Sequence, residues 1–466
     1  MKRFHRLFAL LGVLLLTGQG CFGGGGGAAA QLEAVELEIW GVFDDQDAYE
    51  AIRDSYRALH PNVKITYTEF RFDEYEEELI QAFAEDRGPD IFMVHNTKMG
   101  EFENLLLPMP PTVTTSIQEQ RGTIRREVVT VTTENRTPSI RDITSSFVAQ
   151  VPEDVVRSYQ PDPKVSAEER IFGLPLALDT LALFYNKDVL DSAGIANPPS
   201  TWTQFQEAVI ALTTYDNVGE VLQSAAAMGT SENVERATDV LSLLMMQNGT
   251  EMTDERGRVA FNLVPEALEN EDIIPGLDAT VFYTDFANPT KQVYTWNDTF
   301  PSSFEAFANG DTAFFFGYSY HVPLLRTTAP KLNFGTASVP QISQGEGEAE
   351  VNIANYWIHG VSKNTEFEDW AWDFLIFAAD EENVMTYLNE TRRPTALRNL
   401  ISEQLDDEEL AVFVEQVLTA RSWYHGSDAE AAEQALLDLI DTILTNPERP
   451  DDALNDAARK VGQTYK

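Results

Sequence analysis

The sequence predicts an α/β protein built on largely parallel sheets, and two observations carry that expectation. Over residues 35–94, apolar strand patterns alternate with amphipathic helical ones at the spacing of βαβ units. Residues 173–213 then run strand, acid, strand, helix, Pro-rich turn, Trp and helix. At 466 residues the chain can hold two or three domains with sizeable cores.

The elements follow in chain order. Lys2, Arg3 and Arg6 precede an apolar run over 7–16, too short to span a bilayer, so residues 1–20 read as a signal peptide. The run ends at Cys21, the only cysteine, which excludes an internal disulfide. Gly- and Ala-rich sequence follows, and 21–32 reads as a flexible tether. Val35-Glu36-Leu37-Glu38-Ile39-Trp40 alternates as a strand should. A helix runs from the Asp44–Asp47 cluster to about Leu59, where Asp44 and Asp45 either cap it or face a ligand. Strands are predicted at 62–65 and 91–94, with a helix between them. Ligands of such sheets bind beyond the strands' carboxyl ends, which places Asp44, Asp45, His95 and Asn96 at one edge.

Residues 108–170 read as an insertion on the first lobe, with a β-rich stretch at 126–133 that is a decorative hairpin or a lid. Leu174 to Leu178 and Leu181 to Tyr185 are strands split by Asp179, and a charge between apolar strands needs a partner or a ligand. Asn186 opens a short helix ending at Gly194, and Thr203 with Gln206 forms a capping box for the next. A helix is expected at 238–248. Residues 304–317 read as a helix, a glycine stop and a buried strand, with Tyr318 and Tyr320 just past it. Tyr356 and Trp357 lie in a further strand, and Arg393 follows a helical stretch.

In their order these segments resemble family 1 extracellular solute-binding proteins, the maltose-binding-protein-like ligand-capturing subunits of ABC importers. The resemblance implies a two-lobed periplasmic-binding-protein-like fold of type II, each lobe a mainly parallel sheet flanked by helices, with three hinge crossings. It implies a first lobe of 33–178 and 314–360 and a second of 181–312 and 363–466. The segment 304–317 resembles the second crossing and 355–363 the third. Small residues before Cys21 resemble a lipobox, although Gly18 stands where that pattern carries Leu. This implies an extracytoplasmic protein anchored to the membrane by a lipidated Cys21. A monomer, a small solute and an ABC permease as partners, and no cofactor or metal are further implications.

The implied site is Asp44, Asp45, His95, Asn96, Asp179, Tyr318, Tyr320, Tyr356, Trp357 and Arg393. Aromatic faces and paired polar groups of this kind suit a sugar or oligosaccharide. Relatives that bind maltose carry a stacking Trp where this chain has Val94, which argues against a maltodextrin. A cationic solute such as a polyamine, or a surface role without transport, stays open. The formal charge of −42 argues against nucleic acid. No zincin helix, nucleophile elbow or P-loop occurs, so an enzyme is disfavoured.

Overall fold

The computed structural model describes residues 32–121, 127–268, 273–342 and 350–465. The expected signal peptide, Cys21 and nearly all of the tether lie outside the described residues. Two sheets, each with its own apolar core, form two lobes. The first sheet runs in the order Val63–Phe70, Val35–Val42, Ile91–His95 and Trp357–Ser362, with the short strands Leu106–Leu107 and Leu174–Pro175 paired to the last. Its first three strands are parallel, and Trp357–Ser362 joins them antiparallel, with Trp357 opposite His95. The helix Asp47–Leu59 buries Tyr49, Ile52 and Tyr56 against this sheet.

The second sheet runs Thr214–Tyr215, Val221–Ala226, Thr312–Gly317, Ala182–Asn186 and Phe334–Ser338. Only Val221–Ala226 with Thr312–Gly317 pairs parallel there. Both sheets are thus mixed, where mainly parallel sheets were expected.

A third, three-stranded sheet joins the lobes: Asp179–Thr180, Asn352–Asn355 and Ala420–Arg421. Each strand belongs to a different passage of the chain between the two cores. This corrects the expected crossings and lobe boundaries. The strand Thr312–Gly317 is no crossing; its residues are buried throughout because it lies inside the second sheet, between Val221–Ala226 and Ala182–Asn186. The passage near 352–357 returns the chain to the first sheet, and the remaining one comes near residue 420. Residues 314–338 therefore belong with the second sheet, packed on its two faces. The helices Glu368–Ala378 and Glu381–Thr391, expected in the second lobe, bury Trp372, Phe374, Val384, Tyr387 and Leu388 in the first.

Local signals differ in smaller ways. Thr201, not Thr203, caps the helix Trp202–Leu212, its Oγ1 accepting from the Gln204 amide at 3.2 Å. Gln204 reciprocates by accepting the Ser200 amide at 3.0 Å. Thr201 has the extended backbone a cap needs, whereas Thr203 is already inside the helix. The insertion holds a ten-rung ribbon, Thr112–Arg121 with Glu127–Arg136, whose base packs on the helix Glu368–Ala378. The short helix Gln150–Val155 follows it.

Candidate functional site

The carboxyl edge of the first sheet turns sharply after Val35–Val42. Gly41 is needed there, since a Cβ would lie 2.4 Å from Met93 Sδ and 2.8 Å from Tyr67 Oη. Phe43 follows with φ 67°, in the left-handed region that L-residues avoid. Asp44 is buried, and three side chains meet its carboxylate. Arg393 Nη2 lies 2.8 Å from Oδ1, while Tyr387 and Tyr49 donate hydroxyls to Oδ2 at 2.7 and 3.1 Å. Arg393 Nη1 also donates to Tyr387 Oη at 2.9 Å. Burial pushes the Asp44 carboxyl up, and the guanidinium opposes that shift. Asp44 therefore orients Arg393. Asp45 is exposed and caps the helix, accepting from the Asp47 and Ala48 amides at 3.0 and 3.1 Å.

Beside them, His95 Nδ1 sits 2.8 Å from Thr97 Oγ1 and Nε2 sits 3.3 Å from Asn355 Oδ1. Its ring meets Trp357 edge-on, with centroids 5.3 Å apart. Burial, then the charge of Arg236 from the second lobe, push His95 down to about 4, so it is neutral at pH 7. Trp357 is half-buried, within ring contact of Phe43, Phe72 and Tyr75. Asn96 and Tyr356 are buried and pin the crossing strand to the sheet: the Asn96 amide donates to the Tyr356 carbonyl at 3.0 Å, and Asn96 Oδ1 accepts the Tyr356 amide at 3.4 Å. The Tyr356 hydroxyl donates to buried Asp154, whose carboxylate also lies 2.9 Å from His425 Nε2.

From the joining sheet, Asp179 reaches the second lobe. It accepts the Ser319 hydroxyl at 2.6 Å, the Ser319 amide at 3.0 Å and the Thr180 amide at 2.8 Å. Burial lifts its carboxyl to about 7 against these donors, and Arg393 pulls it the other way. Tyr318 is buried, donates its hydroxyl to Asp239, and stacks under Tyr320 at 6.1 Å. Tyr320 stays half exposed. Asp239 also holds Arg236 through Nε and Nη2 at 2.8 and 3.0 Å.

The structure thus brings together His95, Trp357, Arg393, Asp179, Tyr318 and Tyr320, while Asp44, Asp45, Asn96 and Tyr356 serve as supports. Sequence reasoning missed Phe43, Phe72, Arg236, Asp239 and Ser319. Phe43 directly precedes the acids already singled out, so a ring in a polar turn was a usable signal. Nothing in the sequence marks Arg236. Among the described residues, four non-glycine positions have positive φ, and three of them, Phe43, Arg236 and Arg392, lie in or beside this constellation. Backbone strain tends to gather at functional sites.

A sequence profile describing bacterial extracellular solute-binding proteins matches residues 41–385. The chain belongs to that family. Members of this family are binding proteins, and this chain is a solute-binding protein of the two-lobed kind. The chain is 19% identical over 380 residues to the galactooligosaccharide-binding protein of Bacillus subtilis, covering 81% of this chain and 76% of that one. It is 21% identical over 303 residues to a maltooligosaccharide ABC transporter solute-binding lipoprotein of Streptococcus pneumoniae, covering 65% and 67%. The crystal structure of the cyclic α-maltosyl-1,6-maltose binding protein from Arthrobacter globiformis superposes with a TM-score of 0.67 at 19% identity, covering 92% of this chain and 98% of that one. This solute-binding protein therefore shares its fold with that structure at low identity.

Proposed function

We propose that this solute-binding protein captures a neutral sugar or oligosaccharide between its lobes and delivers it to an ABC permease by hinge closure. The observation that carries the reading is how the charges around the cleft are matched. Arg393 is paired with Asp44, Arg236 with Asp239 and Lys98 with Glu76. Asp179 already accepts three hydrogen bonds and is pushed toward neutrality, which makes it a poor counter-ion for an amine. Exposed Tyr320 and half-buried Trp357 offer the flat faces on which pyranose C–H surfaces stack, and the partly exposed guanidinium groups of Arg393 and Arg236 offer donors for neighbouring hydroxyls. The joining sheet supplies the hinge: a solute touching both lobes favours the closed state by its extra contacts there.

The galactooligosaccharide-binding protein of Bacillus and the maltooligosaccharide-binding lipoprotein of Streptococcus support an oligosaccharide, and the latter an ABC transporter. The residues around Cys21 support a lipid anchor that holds the protein outside the cytoplasm. The test is a thermal-shift screen of sugars against amines. Oligosaccharides should raise the melting temperature, and stabilisation by spermidine but by no sugar would overturn the reading.

A further inference from the structure

Phe43 and Phe72 are each 58% exposed. They follow the adjacent parallel strands Val35–Val42 and Val63–Phe70, at the carboxyl edge where α/β sheets take their ligands. Their rings stack on each other at 5.3 Å and 26°. Each meets Trp357 edge-on, at 6.0 and 6.3 Å, so the three rings make one wall that runs outward from His95.

Phe43 occupies a backbone conformation normally left to Gly, Asn or Asp, at a cost of about 1 kcal/mol or more. Its carbonyl accepts from Arg393 Nη2 at 3.4 Å, which ties that strained turn to the cleft. Phe72 opens the helix Phe72–Ala84, and neighbouring Arg71 is turned to Asp73 and Glu74.

We infer that Phe43 and Phe72 form an outer subsite of the cleft that stacks on the second or a later ring of an extended glycan. The inference rests on the sugar reading above. Phenyl rings have no hydroxyl or N–H, so this wall contributes apolar contact without selecting a hydroxyl pattern. Arg393, Asp179 and the Arg236–Asp239 pair are placed to select the ring bound deeper in the cleft. The consequence is an affinity that grows with chain length and tolerates a change of sugar in the outer ring.

The test uses an array of α- and β-linked gluco-, galacto-, manno- and xylo-oligosaccharides of one to five rings, followed by titration calorimetry on whatever binds. Wild type should bind a di- or trisaccharide at least tenfold more tightly than its parent monosaccharide. Phe43→Gly, which also relieves the left-handed turn, and Phe72→Leu, which keeps the helix start apolar, should each remove about three- to tenfold of that gain. Monosaccharide affinity and melting temperature should stay near wild type. Variants that keep the full length dependence overturn the subsite, as does an equal loss for mono- and oligosaccharides. A wild type that binds no glycan overturns the sugar reading itself and the subsite with it. A wild type that binds glycans of every length equally overturns the subsite alone.

Discussion

Removing the charge of Asp44 is the most informative perturbation of the binding edge. Its carboxylate has no exposed surface, and Arg393 lies 2.8 Å away with a side chain only 19% exposed. At that separation the charge centres are roughly 4 Å apart, and an effective dielectric near 20 gives an attraction of about 4 kcal/mol, offset in part by the burial of both ions. Asp44→Asn leaves the guanidinium buried without its counter-charge, for which one-sided deletions cost about 3–5 kcal/mol. Here Arg393 keeps Tyr387 Oη and some solvent contact, so we expect about 2–4 kcal/mol. Arg393→Met should cost about 2–3 kcal/mol, because Tyr387 and Tyr49 still donate to Asp44. The double variant should lose less than the sum, with a coupling of about 1.5–3 kcal/mol. Guanidinium unfolding followed by circular dichroism measures all four species. A coupling below about 0.5 kcal/mol would refute the argument that Asp44 acts by holding Arg393.

Further expectations concern Asp179, the ribbon and the anchor. Folding lifts Asp179 from 3.8 to about 7, so the native state holds a proton there that the unfolded chain has released. That term makes stability fall as pH rises from about 4 to 7. Relative to wild type, Asp179→Asn should therefore gain stability across that window, by up to about 4 kcal/mol in pH-dependent melts; parallel curves would contradict the assignment. The comparison with wild type is needed because His95 and His359, both pushed down to about 4 by burial, give the opposite slope in both proteins. Replacing residues 117–131 by Asn-Gly keeps the Ser116–Thr132 rung and should leave glycan affinity unchanged in calorimetry, whereas a tenfold loss would make the ribbon a lid. Cys21→Ala should move the protein from the membrane to the soluble fraction, and equal fractionation of both forms would rule out the anchor.

Much of the binding edge was legible because it rests on local signals. A strand ending at a polar cluster, a predicted strand over 91–94 followed by His95 and Asn96, and an acid between apolar strands each mark the end of a buried segment. Together they located Asp44, His95 and Asp179 to the correct edge or crossing. What each side chain does there was not legible. Asp44 and Asp45 are adjacent and alike in sequence, yet one lies wholly inside beside Arg393 while the other caps a helix at the surface. Their difference comes from Tyr387 and Arg393, more than 340 positions away, which no local pattern connects to them. Tyr356 and Trp357 likewise point to opposite surroundings, one to Asp154 and the other to the ring wall, because Tyr356 links the joining-sheet strand Asn352–Asn355 to the first-sheet strand that Trp357 opens.

By itself, then, the sequence determined the fold class, the family and the strand ends that form the carboxyl edge of the first sheet, since alternation, turns and charge placement are properties of neighbouring residues. Tertiary structure alone decided which core each later segment joins. Thr312–Gly317 and the helix Glu368–Ala378 are apolar enough for either lobe, and only the free strand edge or helix face left open by the rest of the chain selects one. It also decided that Phe43, Arg236 and Arg392 hold left-handed backbones beside the cleft. Such strain survives only where the surrounding structure over-determines the turn, as Phe72, Trp357 and Arg393 do for Phe43 from segments distant in the chain.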